Sequence, residues 1–316
     1  MTRAFLFPGQ GAQAIGMGRD LADAYPAAKA VFDEVDEALG ERLSALIWEG
    51  DAETLTLTRN AQPALMATSL AAMRALEAEG VRIGTAAYVA GHSLGEYSAL
   101  AAAGALSVAD AARLLRARGE AMQAAVPVGE GAMAAVLGLS LQDVQAVAAE
   151  AAEGEVCVAA NDNDPAQVVI SGHAGAVARA AEIAKAKGAK RALMLPVSAP
   201  FHCALMAPAA EAMRTRLDEV AMARPAVPVV ANVTAGPVDD PERIRALLVE
   251  QVTAPVRWRE SVAWMAGEGV TAFWEIGAGK ALSGMVRRIE KDAATRQVGT
   301  AAEARAAAEA MEAGDV

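Results

Sequence analysis

Residues 91–95 read Gly-His-Ser-Leu-Gly, which matches the G-x-S-x-G pattern of a serine nucleophile. A short apolar run precedes this pentapeptide and a small-residue segment of helical character follows it, which is the strand–turn–helix setting of a nucleophile elbow. Such a turn lifts the Ser93 hydroxyl out of a sheet, where the backbone N–H of Leu94 can face a developing oxyanion. A Gly-Ser turn that matches by chance is the alternative, and the context favours catalysis.

A serine nucleophile needs a general base, and the chain offers three histidines. His92 adjoins Ser93, and neighbouring side chains in a sharp turn usually point apart, so we expect it to be structural. His173 lies in a predicted turn, where surface placement is the simpler interpretation. His202 follows the serine in the chain, as in α/β-hydrolases, and is the predicted base. Since no acidic residue near it has a distinctive setting, a backbone carbonyl can orient the ring in a Ser–His dyad.

Arg118 lies on the apolar side of a helix predicted over 107–125. At about 100° per residue, the stripe around it contains Ala111, Leu114, Leu115, Ala121, Met122 and Ala125, whereas the opposite face holds Arg113, Arg116, Glu120 and Gln123. A buried, unpaired guanidinium costs several kcal/mol. Arg118 is therefore expected to have an anionic partner.

The glycine-rich stretch Phe-Pro-Gly-Gln-Gly-Ala-Gln follows the first strand-like run. Residues 9–14 fit the loose G-x-G-x-x-A form of a dinucleotide loop, although Pro8 at the strand exit suits that interpretation poorly. The alternative is a loop that supplies a second oxyanion donor, since hydrolase-type sites take one N–H from a loop after another strand. Gln10 is then the candidate donor.

Three further polar residues have simple interpretations. Gln251 precedes a Thr-Ala-Pro break and is predicted at a helix C-terminus. Asn161 lies in the polar stretch Asn-Asp-Asn-Asp-Pro, most simply a hairpin loop, although it could face a cleft between domains. Cys203 adjoins His202 but lacks the helix N-terminus or glycine pattern that activates a cysteine, which favours a packed thiol.

The elements that position these residues alternate between apolar strand-like runs and longer helical segments, which predicts an α/β fold with a parallel sheet. Strands are predicted at 4–7, 86–90, 227–233 and 270–276, and helices at 18–39, 62–79, 94–103, 107–125, 205–220 and 281–291. Between Pro127 and Pro196 the order changes to βαββαβ, the ferredoxin-like plan. We therefore predict an α/β-hydrolase-like catalytic domain (1–127 and 197–300), an inserted ferredoxin-like domain (128–196), and a tail (301–316) that is a loosely attached helix or a disordered end.

Composition excludes several classes of protein. The net charge of −11 argues against a nucleic-acid binder or an anionic-membrane binder. Two cysteines and no charged-then-apolar leader suit a reduced, cytoplasmic protein without structural disulfides. No apolar run approaches the roughly 18–20 residues of a membrane-spanning helix.

Over nearly its whole length the chain resembles the malonyl-CoA:acyl carrier protein transacylases, the acyltransferases of bacterial fatty acid synthesis. The stretches that carry this resemblance, in family order, are FPGQGAQ, GHSLGEYSAL, RGEAMQ, VSAPFHCALM, QVTAPVRW and EIGAGKALSGM. The resemblance implies Ser93 as nucleophile, His202 as base, the main-chain carbonyl of Gln251 as the group that orients the histidine, and the backbone of Gln10 and Leu94 as oxyanion donors.

The resemblance also gives Arg118 its partner, the carboxylate of the malonyl group, held by a bidentate fork. Met122 and Asn161 are expected to bind substrate as well. Phe201 departs from the family, because bacterial members often have serine before the catalytic histidine. In related polyketide acyltransferases an aromatic residue there accompanies malonyl rather than methylmalonyl, since a bulky ring fills the space of an α-methyl group.

The implied reaction moves malonyl from malonyl-CoA to the phosphopantetheine thiol of acyl carrier protein, in fatty acid or polyketide synthesis, by a monomer with no metal or redox cofactor. Coenzyme A thioester is the substrate. A thioesterase-like hydrolase and a non-enzymatic carrier-protein-binding module are the alternatives. Because carrier proteins are usually acidic, they are expected to dock on a basic cluster, for which the candidates are Lys185, Lys187, Lys190 and Arg191, or Arg287, Arg288 and Lys291.

Overall fold

The computed structural model describes residues 2–197 and 199–314, and in these residues ten strands form two separate sheets. The strands are β1 (Arg3–Phe7), β2 (Tyr88–Gly91), β3 (Gly131–Leu137), β4 (Cys157–Asp164), β5 (Gln167–His173), β6 (Arg191–Met194), β7 (Val229–Ala231), β8 (Gly236–Val238), β9 (Ala272–Ile276) and β10 (Ala294–Val298).

The α-helices are α1 (Arg19–Ala24), α2 (Pro26–Leu39), α3 (Leu43–Glu49), α4 (Ala52–Thr56), α5 (Thr58–Ala78), α6 (Gly95–Ala102), α7 (Val108–Ala124), α8 (Leu141–Ala152), α9 (Ala174–Ala186), α10 (Ala207–Asp218), α11 (Pro241–Gln251), α12 (Trp258–Gly267), α13 (Ala281–Ile289) and α14 (Ala301–Glu312). No helix in the described part of the chain is long and apolar enough to span a membrane.

The larger sheet has the order β10-β9-β1-β2-β7-β8. Its strands pair in parallel except at the β7–β8 edge, which is antiparallel. Strand β1 is central and buried from Ala4 to Phe7, as expected where helices cover both faces of a parallel sheet. Pro237 lies in the edge strand β8, where a missing N–H is tolerated.

The smaller sheet has the order β4-β5-β3-β6 and is antiparallel. Helices α8 and α9 cover one face of it through an apolar cluster that includes Val136, Val147 and Ile170. Alternate residues of β3, Met133 and Ala135, point to the opposite face and form a second small cluster. The predicted combination of a parallel α/β sheet and a separate ferredoxin-like unit is confirmed, whereas the domain boundaries stay a prediction.

Two helical predictions differ from the structure. The helix expected over 18–39 is divided into α1 and α2, because Tyr25 is extended (φ −127°, ψ 114°) before Pro26. The expected loose tail is instead a packed helix. Thr300 caps α14 by accepting from the Glu303 N–H, and an alanine face that includes Ala304 is buried against α5 and β10. Residues 315 and 316 of that tail lie outside the described residues.

Candidate active site

The turn between β2 and α6 carries Ser93 in a left-handed conformation with φ 53°. Glycine is required on both sides of it. A Cβ on Gly91 would lie 1.9 Å from the Gly95 carbonyl carbon, and a Cβ on Gly95 would lie 2.2 Å from the Phe7 carbonyl oxygen. The elbow thus depends on close backbone approach between β1, β2 and the start of α6.

His202 lies directly opposite the elbow, although 109 residues separate it from Ser93 in the chain. Its Nε2 is 2.8 Å from Ser93 Oγ, and its Nδ1 is 2.9 Å from the Gln251 carbonyl oxygen. Because a carbonyl only accepts, Nδ1 carries the proton and Nε2 is free to accept from the serine hydroxyl. Burial, and secondarily the nearby Arg118 cation, lowers the pKa of His202 to about 3, so the ring is neutral near pH 7.

The other two histidines have different surroundings. His92 Nε2 lies 2.8 Å from Asn163 Oδ1 on β4, and its ring packs 5.5 Å from that of Trp258. His173 Nδ1 accepts from the Val156 N–H at 2.9 Å within the smaller sheet. Both rings make structural contacts away from the Ser93 hydroxyl.

Arg118 is 1% exposed and lies beside the serine. Its guanidinium donates to Gln62 Oε1 at 2.7 Å, to Ser93 Oγ at 3.2 Å and to Gln251 Oε1 at 2.9 Å. All three acceptors are neutral, and the ion pairs of residues 2–197 and 199–314 do not include Arg118. The buried Glu96 carboxylate is near enough to interact with Arg118 electrostatically, but no carboxylate of the described residues hydrogen-bonds the guanidinium, which suits the binding of an anionic ligand.

The loop after β1 lies against the elbow rather than at a helix N-terminus. A Cβ on Gly9 would be 2.7 Å from the His92 carbonyl oxygen, so glycine permits this contact. The next helix, α1, begins only at Arg19, which contradicts the dinucleotide-loop alternative. Gln10 and Leu94 border the same cavity, and their backbone N–H groups donate no hydrogen bond within the described residues.

A cavity of about 460 Å³ joins these groups. The sequence-predicted residues that line it are Gln10, Ser93, Leu94, Arg118, Met122, Asn161, Phe201 and His202. Gln251 completes the site from behind, since its backbone oxygen meets His202 and its side chain meets Arg118. Asn161 faces the cavity as expected, but residues 161–164 belong to strand β4 rather than to a hairpin loop.

Strand β4 continues through these polar residues because the larger domain supplies their partners. Asp162 accepts from Arg259 Nε, Asn163 contacts His92, and Asp164 accepts from Arg288 Nε at 2.8 Å. The cysteines do not take part. Cys203 is buried and donates to the Pro200 carbonyl oxygen at 3.1 Å, and burial raises its pKa, as expected for a packed thiol.

Three functional neighbours were missed at the sequence level: Gln62, Glu96 and Asn232. Asn232 at the end of β7 accepts from the Ser93 N–H at 2.7 Å and donates to the Gly91 carbonyl oxygen at 2.7 Å. Glu96 is 2% exposed and is the only charged residue of helix α6, all of whose residues are buried. A charge inside an apolar segment, the signal that identified Arg118, could have found Glu96 as well.

Comparison with known proteins gives a consistent result. The acyl transferase domain family matches residues 4–308. The malonyl CoA-acyl carrier protein transacylase of Bacillus subtilis is 52% identical over 289 residues (91% of this chain and 90% of that protein), and that of Escherichia coli K12 is 49% identical over 286 residues (90% and 92%).

Solved structures show the same similarity. The acyl-carrier-protein S-malonyltransferase of Bartonella henselae has a TM-score of 0.97 at 56% identity, covering 99% of this chain and 100% of that one. A malonyl-transacylase solved in complex with its type II PKS acyl-carrier protein has a TM-score of 0.95 at 42% identity, covering 98% of this chain and 99% of that one. The resemblance inferred from the sequence motifs is confirmed.

Proposed function

The chain belongs to the acyl transferase domain family, and we propose that it moves malonyl groups from malonyl-CoA to the thiol of an acyl carrier protein through a malonyl ester on Ser93. One observation carries the choice of acyl group. The buried Arg118 cation meets only neutral acceptors, and its Nη2 is 3.2 Å from the Ser93 hydroxyl. A three-carbon diacid presents its thioester to the serine and its free carboxylate to this guanidinium.

In the first half-reaction Ser93 Oγ attacks the thioester carbonyl carbon while its proton passes to His202 Nε2. The Nδ1–H remains bonded to the Gln251 carbonyl oxygen, which keeps the ring oriented as it becomes charged. The malonyl carboxylate neutralises Arg118, the cation that contributes to the low pKa of His202. Binding of the correct acyl group therefore makes the base stronger at the moment it is needed.

The oxyanion of the tetrahedral intermediate is bound by the free N–H groups of Gln10 and Leu94, each contributing about 3 kcal/mol. Collapse of the intermediate breaks the C–S bond, and coenzyme A leaves with the proton held by His202. In the second half-reaction the carrier-protein thiol gives its proton to His202 and attacks the malonyl ester. The serine recovers its proton as the product leaves.

The side chains around the acyl position are bulky. Met122 is buried and Phe201 half-buried, and both border the cavity next to the serine and histidine. A ring at position 201 fills space that an α-methyl group needs. We therefore infer a preference for malonyl over methylmalonyl.

Intact-mass measurement with malonyl-CoA and no carrier protein tests the covalent step. The expected result is a stable malonyl adduct on Ser93 that disappears when carrier protein is added, and no adduct in Ser93→Ala. Rapid release of free malonate without an adduct would instead indicate the thioesterase alternative.

Replacing Arg118 tests the choice of acyl group. Arg118→Ala should lose malonyl preference by roughly a hundredfold, the scale of a lost charged hydrogen-bonding partner, and gain on acetyl-CoA. Arg113→Ala on the exposed face of the same helix is the control. Unchanged selectivity between malonyl-CoA and acetyl-CoA in Arg118→Ala would refute the assigned role.

Carrier-protein docking on a basic cluster also stays a proposal. In the first cluster Lys185 and Lys187 already pair with Glu182 and Glu150, whereas Lys190 is exposed just before β6. In the second cluster, Arg288 pairs with Asp164. Charge reversal of the docking cluster should raise KM for carrier protein more than KM for malonyl-CoA. If charge reversal has no effect at either cluster, neither is the docking surface.

A further inference from the structure

A buried carboxylate lies behind the reacting groups and outside the cavity. Glu96 follows the elbow on α6, is 2% exposed, and accepts two hydrogen bonds at its Oε2 atom. The donors are the Asn232 backbone N–H at 3.0 Å and the Gln251 Nε2 amide at 2.9 Å. A buried carboxylate is costly, and nothing in the mechanism above uses it.

The two residues that Glu96 binds hold every reacting group in the site. Asn232 binds the elbow itself, through the Ser93 N–H and the Gly91 carbonyl oxygen. Gln251 binds the Ser93 carbonyl oxygen through Nε2, the His202 ring through its backbone oxygen, and Arg118 through Oε1. Glu96 is therefore one contact away from nucleophile, base and guanidinium.

The chemistry of these contacts also sets the direction of the Gln251 amide. Gln251 Nε2 lies 2.9 Å from Glu96 Oε2 and 3.0 Å from the Ser93 carbonyl oxygen, and both of these oxygens accept, so the amide NH₂ of Gln251 faces them. The amide oxygen then faces Arg118 Nη2, at 2.9 Å. With the amide reversed, its NH₂ would oppose the N–H donors of Arg118, and the guanidinium would have to move.

We propose that Glu96 is a positioning residue that sets selectivity for a carboxylate-bearing acyl group, by fixing the Gln251 amide and through it the Arg118 guanidinium. This inference rests on the proposed malonyl transfer. On this proposal, the buried Glu96 carboxylate serves the selection of substrate and not the chemical step.

The test compares acylation of Glu96→Ala, Glu96→Gln and the parent protein by malonyl-CoA and acetyl-CoA, with kcat and KM measured separately. Glu96→Ala should lower the malonyl-to-acetyl ratio of kcat/KM by roughly tenfold to a hundredfold, the scale of a misplacement of about 1 Å, mainly by raising KM for malonyl-CoA. Glu96→Gln should recover most of the ratio, since its amide oxygen can accept both hydrogen bonds.

Ser98→Ala is the matched control, because Ser98 is buried on the same helix and its hydroxyl has no hydrogen-bond partner in residues 2–197 and 199–314. Its ratio should equal that of the parent. Gln251→Met serves as a second variant if Glu96→Ala does not fold, because it keeps the backbone oxygen for His202 and removes the amide. The same fall in ratio is expected.

The proposal would be overturned if Glu96→Ala lost kcat/KM equally on malonyl-CoA and acetyl-CoA. An unchanged malonyl-to-acetyl ratio of kcat/KM in Gln251→Met would overturn it as well. A Glu96→Gln variant that is folded but as unselective as Glu96→Ala would overturn it too. Failure of the proposed function is a separate result, since the parent protein itself would then form no malonyl-serine.

Discussion

The two walls of the cavity differ in what they contribute. The larger domain supplies the polar groups, Ser93, Arg118 and His202, backed by a buried hydrogen-bond network. The inserted unit supplies a mostly apolar surface, built from Met133, Ala135, Val169 and Leu195, with a few polar side chains such as Asn161. In the proposed reaction, one wall carries the chemistry, and the other shapes the space and excludes water from it.

The walls are joined by contacts of residues 161–164 and by Phe201, which packs against an apolar cluster of each unit. Asn161 forms an isolated parallel β-bridge with Val256, and the Asp162 N–H donates to the Val256 carbonyl oxygen at 3.0 Å. Asp162, Asn163 and Asp164 each bind a different side chain of the larger domain. Directional polar contacts of this kind fix the separation of two walls in a way that apolar packing alone does not.

The largest contrast between the walls should appear in glycine substitutions. Gly91→Ala on the catalytic wall has no room for a methyl group, so we expect a loss of more than about 4 kcal/mol of stability and no acyl-enzyme. Gly175→Ala in α9 meets its nearest atom at 3.6 Å and should stabilise the protein by roughly 0.5–1 kcal/mol. Thermal denaturation measures both, and a folded, active Gly91→Ala would show that the elbow tolerates bulk.

The ion pair between Asp164 and Arg288 tests whether residues 161–164 hold the walls together. Asp164→Ala should cost about 2 kcal/mol, less than a fully buried pair, because Arg288 remains half-exposed and can reach water. Lys187→Ala, which breaks a pair exposed on both sides, should cost roughly 0.5 kcal/mol or less. Denaturant unfolding separates the two, and equal costs would mean that the walls are held by packing alone.

The pH dependence of acylation tests how the Arg118 cation on the catalytic wall affects the pKa of His202. Burial first and the Arg118 cation second lower the pKa of His202 to about 3, so in the parent protein the neutral base persists well below pH 6. Removing the cation in Arg118→Ala raises the pKa of His202, and the acid limb of acetyl-CoA acylation should move to higher pH. The profile is obtained by quenching acylation at a series of pH values and measuring the acyl-enzyme by intact mass, with Arg113→Ala as control. Acid limbs that superimpose for Arg118→Ala and the parent protein would argue against direct coupling between Arg118 and His202.

The smallest effect is expected at the contact between the elbow and β4. Asn163→Ala leaves His92 Nε2 without its partner at 2.8 Å and should lower stability by about 1 kcal/mol. Gln167→Ala, on the same wall but with no side-chain hydrogen bond to any described residue, should change stability by less than about 0.5 kcal/mol. The difference in melting temperature between the two variants is the measurement, and no difference would make the His92 contact dispensable.

Local patterns in the sequence were sufficient for Ser93, Arg118 and the βαββαβ order of the inserted unit. A nucleophile elbow is specified by glycine spacing within five residues, and a cation on an apolar helix face is visible from periodicity alone. His202 could be chosen because the chain has only three histidines. The helix break at Tyr25 and the packed α14 were missed, although Pro26 and the Thr300 cap were local signals.

How these groups are held follows from contacts between distant parts of the chain. Gln251 is unremarkable in its local setting, and Asn232 and Glu96 were not predicted as site residues. Hydrogen bonds between residues 133 to 158 positions apart nevertheless make these three the framework of the site. The physical reason is that burial periodicity and turn chemistry are local properties of the chain. A hydrogen bond between distant residues depends on where the sheet order and the helix packing bring their backbones together.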